Sequence, residues 1–154
     1  MQQQSLVILL AEDDEGHAQL VKRNLARAGI ANEIVHVTDG QQALEYIRRE
    51  GPFAGREAGH QLLLVLDINM PRLDGIEVLA QLKSDPTTSL IPIVMLTTTD
   101  DPREIGRCYE AGCNVYITKP VDYQAFVEAV QRLGLILQVA QIPAERRREG
   151  AIQT

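Results

Sequence analysis

Three unbroken apolar runs constrain this chain more than any other feature: LVILLA (Leu6–Ala11), LLLVL (Leu62–Leu66) and IPIVML (Ile91–Leu96). A strand with one wet face alternates apolar and polar residues, whereas a continuous run is covered on both faces, which is the environment of a parallel sheet between helical layers. Two shorter segments, IVHV (Ile34–Val37) and VYI (Val115–Ile117), complete a set of five. The stretches between them carry apolar residues at helical spacing: Leu20, Val21, Leu25 and Ala28; Ala43, Leu44 and Ile47; Ile76, Val78, Leu79 and Leu82; Ile105 to Ala111; and Phe126, Val130, Leu133 and Leu137. Regular strand–helix alternation predicts an α/β protein with a doubly wound, five-stranded parallel sheet and helices on both faces.

Three helix starts are marked by an Asp followed three residues later by Glu or Gln, the signature of a capping box: Asp39–Gln42, Asp74–Glu77 and Asp101–Glu104. The last also has Pro102 at the first helical position, where a missing N–H costs nothing. Gly51–Gln61 (GPFAGREAGHQ) is longer than a usual α/β connection and reads as a surface loop or a partner-specific feature. The repeats describe a single domain over residues 5–142, with 143–154 as a polar tail behind Pro143.

Composition narrows the class of function. The 154 residues carry a formal net charge of −6, so the basic face that a nucleic-acid binder needs is lacking and no nucleic-acid partner is expected. No apolar run approaches the about 18 residues that would suggest a membrane span. The apolar start lacks a basic leader region, and a cytoplasmic protein is expected. Cys108 and Cys113 show no metal-ligand spacing and read as reduced packing residues.

In an open parallel sheet, ligands bind beyond the carboxyl ends of the strands, so the residue after each run is the one to examine. The first run is followed by Glu12, Asp13 and Asp14; the third by Asp67 and, two further on, Asn69; the fourth by Thr97 and Thr98; the fifth by Lys119 and Pro120. Clustered carboxylates repel unless a cation sits among them, and Mg²⁺ favours one or two carboxylates together with water and phosphate. Such a site suits an Asp67 that attacks a phosphoryl group and carries it as an aspartyl phosphate, with Lys119 and Thr97 on the phosphoryl oxygens. His17, alone at a helix start, reads as solvated. His36 and His60 carry no expectation.

The stretches ILLAEDDEG, LLLVLDINMPRLDGIEVL, IPIVMLTT and AGCNVYITKPVD, in this order and spacing, resemble the receiver domain of two-component response regulators over roughly Ser5 to Gly134. The resemblance implies a flavodoxin-like sheet of order 2-1-3-4-5. It implies Asp67 as phosphoacceptor, Asp13 as a direct Mg²⁺ ligand and Glu12 as one acting through water. The backbone carbonyl of Asn69 would add a further metal oxygen. Thr97 would be the switch hydroxyl, Lys119 the phosphate-binding lysine, and Tyr116 the aromatic side chain that follows Thr97. Glu12 stands where many members have Asp, and Thr98 where small residues are common. The GPFAGR loop and LTTTDDPREI are similar to small single-domain regulators paired with bacterial and cyanobacterial phytochrome histidine kinases. The implied phosphodonor is a sensor histidine kinase.

Two rivals share parts of this toolkit. A phosphatase of the haloacid dehalogenase type normally needs an acid two residues after its nucleophile, and Asn69 cannot act as one. A flavodoxin-like cofactor module needs a phosphate-friendly first loop and aromatic stacking residues, yet this loop is EDDE and the chain has four Tyr, two Phe and no Trp. A receiver used for binding without phosphorylation is the remaining alternative.

The stretch after Ile142 is too short for an output domain, so signal is expected to leave through the receiver surface. The last helix carries Leu135, Ile136, Val139 and Ile142 besides its core-facing set, and an amphipathic helix on a monomer should be polar there. This pattern predicts a homodimer through the last helix, joined by the fourth helix and fifth strand. The alternative is a helix end folded back on its own domain.

Overall fold

The apolar runs are the buried strands of a parallel sheet. In the computed structural model, which describes residues 6–27, 31–98 and 101–118, β1 (Leu6–Ala11), α1 (Glu15–Arg27), β2 (Ile34–Val37), α2 (Gly40–Arg48), β3 (Gln61–Asp67), α3 (Gly75–Lys83), β4 (Ile93–Thr97), α4 (Pro102–Glu110) and β5 (Val115–Thr118) succeed one another. The strands pair in parallel in the order β2-β1-β3-β4-β5. This is the flavodoxin-like doubly wound arrangement.

Alternate residues of each strand enter two separate cores. Val7, Leu9, Leu62, Leu64, Leu66, Ile93 and Met95 pack with Ala43, Leu44 and Ile47 of α2, with Val78, Leu79 and Leu82 of α3, and with Cys108 of α4. Ile8, Leu10, Leu63, Val65, Val94, Leu96, Val115 and Ile117 pack with Ala18, Val21 and Leu25 of α1. Each fully buried Leu or Ile contributes about 1.5–3 kcal/mol. Two covered faces therefore explain why these strands read as unbroken rather than alternating.

The strands begin and end close to the sequence-based bounds. β3 extends to Gln61 and Asp67, and β4 starts at Ile93 rather than Ile91. The capping expectations need correction in detail. Asp74 and Glu77 form the full reciprocal box. Asp39 accepts from the Gln42 amide (2.8 Å), but the Gln42 side chain reaches back to the Thr38 amide. Asp101 caps α4 through the Arg103 amide (2.9 Å), and Glu104 instead pairs with Arg107. The third box fails because the cap hydrogen bond falls on the second helical residue and not the third.

The long 51–61 connection closes on its own helix. A 3-10 turn, Gly51–Phe53, places the Phe53 ring edge-on to Tyr46 at 5.1 Å. Arg56 lies 4.0 Å over the Tyr46 ring. It donates from Nη2 to the Tyr46 carbonyl at 2.7 Å, so a guanidinium satisfies a carbonyl at the C-terminal end of α2. Residues 119–154, and with them Lys119, Pro120, the last helix and the tail, lie outside the described residues.

Candidate functional site

Register aligns the carboxyl ends of the central strands. Ala11 pairs with Leu66, Asp67 with Leu96, and Thr97 with Thr118, so the strand-end residues and the turns beyond them converge at one edge of the sheet. The turn after β1 holds Glu12 and Asp13, β3 ends on Asp67, and β4 ends on Thr97. Glu12 and Thr97 are fully buried and Asp67 is 3% exposed, while Asp13, Asn69 and Thr98 face solvent.

Glu12, Asp13 and Asp67 each bring one carboxylate oxygen within 4.8 Å of the others. Like charges at that separation repel by about 3 kcal/mol or more at an effective dielectric of about 20. Glu12 and Asp67 are buried, where water screens this repulsion poorly, so a cation among the carboxylates offsets it. Three hard oxygen donors that converge from the turn after β1 and the end of β3 suit a divalent cation of the Mg²⁺ or Mn²⁺ kind. The donor set fits that group. Among the described residues it is the one cluster of this type.

The loops that carry these acids are braced by long-range contacts. The Glu12 amide donates to the Val37 carbonyl (3.0 Å), and the ring Nε2 of His36 lies 2.7 Å from the Glu12 carbonyl oxygen. The Glu12 side chain accepts from the Asp14 amide (3.1 Å), with His17 Nδ1 3.8 Å away. At the end of β3, the Ile68 amide donates to Leu96 and the Gly75 amide to Ile68, which closes the 68–75 loop at its base. Arg72 of that loop forms a fork on Asp39, with Nε to Oδ2 at 3.0 Å and Nη2 to Oδ1 at 3.3 Å. Burial pushes the Asp39 carboxyl up, but the Gln42 amide and the Arg72 guanidinium outweigh it and hold it below the usual range.

Of the residues expected at the site, Glu12, Asp13, Asp67 and Thr97 are brought to the same edge. Asn69 lies just past Asp67 on the 68–75 loop. Tyr116 is half-buried on β5, its ring 6.4 Å from that of Tyr109 on α4. Lys119 comes just after the end of β5 and is outside the described residues. Sequence reasoning missed His36, Asp39 and Arg72 as braces of the site loops. Asp39 carried a signal as a helix cap. Nothing local marks the other two.

This fold is shared with known proteins. Residues 8–131 match the response regulator receiver domain. The chain belongs to that family. A receiver domain from Rhodospirillum rubrum is 49% identical, with 90% of this chain and 99% of that one covered and a TM-score of 0.73. The phosphorylated cyanobacterial phytochrome response regulator RcpA is 36% identical, over 90% of this receiver and 99% of its own chain, with a TM-score of 0.76. Response regulator Rcp1 of Synechocystis is 32% identical over 139 residues, 90% of this chain and 93% of its own. Its Mn²⁺-bound crystal structure superposes with a TM-score of 0.74. The receiver is thus a response regulator of two-component signalling. Its acidic pocket has the character of a site that holds Mn²⁺ or Mg²⁺.

Proposed function

We propose that Asp67 accepts a phosphoryl group from a phosphohistidine of a sensor histidine kinase, and that the modified receiver switches a protein–protein surface. The observation that carries this reading is the buried Asp67 carboxylate at the end of β3, within 4.8 Å of oxygens of Glu12 and Asp13. In the transfer, a carboxylate oxygen of Asp67 bonds to phosphorus as the phosphorus–nitrogen bond of the donor breaks. The imidazole leaves with that electron pair.

Asp13 and Asp67 directly, Glu12 through water and Asn69 through its main-chain carbonyl would hold Mg²⁺. When bound, it supplies positive charge against the phosphoryl oxygens. Thr97, fully buried at the end of β4, donates its hydroxyl to one phosphoryl oxygen. Lys119 neutralises another as a point charge. The phosphoryl group brings about −1.5 to −2 of charge and new acceptor oxygens. Thr97 moves toward it, and Tyr116 takes up the space vacated. The contact between the Tyr116 and Tyr109 rings supports a route from that movement to α4.

The kinase partner is assigned to the phytochrome class because RcpA is described as a phytochrome response regulator and RPA3017 of R. palustris, 34% identical, as acting in red light signalling. A homodimer through the last helix and a cytoplasmic location complete the reading. No helix among the described residues is long and apolar enough to cross a membrane. Intact mass after incubation with acetyl phosphate, with and without Mg²⁺, tests the core of it. One phosphoryl group is expected on wild type with Mg²⁺ and none on Asp67→Asn. No addition under any condition would leave a receiver used for binding alone. Light-scattering mass of a version truncated after Gly134 tests the dimer, which is expected to become monomeric.

A further inference from the structure

The loop from Asp67 to Gly75 contains an unusual backbone turn. Arg72 has φ +67, a left-handed conformation that is uncommon for a residue with a side chain. The Leu73 amide donates to the Pro71 carbonyl at 2.7 Å, which closes a three-residue turn over Arg72. A γ-turn with positive φ at its centre is the rare and strained kind. Strain of this sort persists where surrounding contacts over-determine it, and it gathers at functional sites.

Two contacts hold the turn in place, and both belong to the start of α2. The Arg72 guanidinium grips both oxygens of Asp39, whose side chain is 10% exposed and fixed by the Gln42 amide. Beside it, Gly40 has no Cβ, and an added one would collide with the Leu73 carbonyl oxygen and lie 2.8 Å from Val78 Cγ2. The bare Gly40 backbone is what lets the turn seat against α2. At its other end the loop is anchored on Ile68 by the Gly75 amide, one residue from Asp67 and one from Asn69.

We propose that Arg72 is a positioning residue: its fork on Asp39 latches the strained turn to the start of α2 and so sets the main chain from Asp67 to Asn69. This rests on the reading of Asp67 as phosphoacceptor and of the acids and the Asn69 carbonyl as cation ligands. Arg72 touches neither the cation nor the phosphoryl group and acts through the loop. A planar, bidentate pair suits this task because it fixes orientation as well as distance, which a lysine in its place would not.

The test uses the whole chain and four variants: Arg72→Gln, Arg72→Gly, Asp39→Asn and the double Asp39→Asn/Arg72→Gln. Asp39→Asn keeps a side-chain oxygen for the Gln42 amide, so α2 keeps its cap. Arg72→Gly removes the latch and the φ strain together, so its stability should equal or exceed that of Arg72→Gln. Mn²⁺ affinity is read by electron paramagnetic resonance, phosphorylation by acetyl phosphate from intact mass, and stability from melting curves.

Each single variant is expected to lose about 10-fold in Mn²⁺ affinity and phosphorylation rate, the scale seen when a residue that orients metal ligands is removed. The double variant should lose no more than either single, because both remove one latch. Unchanged Mn²⁺ affinity in the single variants would overturn the proposal. So would losses that simply track melting temperature, including full recovery in Arg72→Gly. If Asp67→Asn is phosphorylated as fast as wild type, the phosphoacceptor reading fails, and the latch is still judged by Mn²⁺ affinity.

Discussion

Replacement of Gly75 by Ala is the sharpest probe of how tightly the end of β3 is built. Gly75 is the first residue of α3, and its φ is not in the left-handed region, so Ala is conformationally acceptable there. As a helix former, Ala should add about 0.5–1 kcal/mol of stability. The added Cβ, however, would overlap the Asp67 carbonyl oxygen and lie 2.8 Å from Ile68 Cα and 3.1 Å from Asp67 C. These are main-chain atoms and cannot rotate away, so either α3 or the Asp67–Ile68 peptide must move. Overpacking of this kind costs about 1–3 kcal/mol. The shift also weakens the hydrogen bond from the Gly75 amide to the Ile68 carbonyl, 2.8 Å long, which contributes about 1 kcal/mol. The opposing effects leave a net loss of about 2 kcal/mol. For a chain of this size that lowers the melting temperature by about 4–8 °C. Gly106→Ala in α4 is the control: no atom lies within 4 Å of its added Cβ, so it should gain about 0.5–1 kcal/mol. Melting curves and acetyl phosphate labelling of both variants provide the comparison. A Gly75→Ala protein that melts and labels like wild type would refute the claim that this backbone contact is tight.

Burial and charge carry other consequences. Leu82 is completely buried between α3 and the sheet, so Leu82→Ala should cost about 2–5 kcal/mol in urea denaturation. Burial pushes the Cys113 thiol up to about 12, with the nearby Cys108 adding to the shift. At pH 8 Cys113 should resist alkylation in the native protein and react fully in denaturant, as read by mass spectrometry. Asp39 is held below its ordinary value of 3.8 in the folded protein, so the unfolded chain binds its proton first as pH falls. Its contribution is therefore complete above the unfolded value and lost as pH drops through the folded one. The melting-temperature gap between wild type and Asp39→Asn should be widest near neutral pH and narrow below pH 3.8.

The parts of this molecule that were legible in its sequence are those with a local physical cause. Three continuous apolar runs report burial on two faces, and they and the two shorter segments became the five strands of one parallel sheet. The acids and the threonine after those runs were legible because a strand end in an open sheet fixes where the next residue goes. All three caps were legible as residue types, but only the Asp74–Glu77 box formed in full as hydrogen bonds. Asp101 binds the second helical amide instead of the third. The 51–61 loop read only as a surface loop or a partner-specific feature because its order comes from Arg56 and Phe53 on Tyr46, contacts that no residue spacing encodes.

The hidden parts of the site are of the same kind. His36 reaches the Glu12 carbonyl across 24 residues, and Arg72 reaches Asp39 across 33. Neither pair shares a helix face or a strand register, so neither periodicity nor motif spacing could join them. The fold does: β2 lies beside β1, which puts its end next to the turn after β1, and α2 packs on the same core as α3, with Gly40 against Leu73 of the turn after β3. Once that neighbourhood exists, a histidine and an aspartate at the end of β2 are within reach of both acid-bearing loops. The edge strand β2 carries none of the site's carboxylates, yet it and the helix after it supply the contacts that hold two of the three acids where they converge. A substitution on β2 that keeps its apolar character but removes His36, such as His36→Leu, should leave the sheet folded and loosen the Glu12 turn. Weaker Mn²⁺ binding with an unchanged melting curve would show that this edge strand serves the site as well as the core. Unaltered binding would mean that the Glu12 amide bond to Val37 suffices to hold that turn.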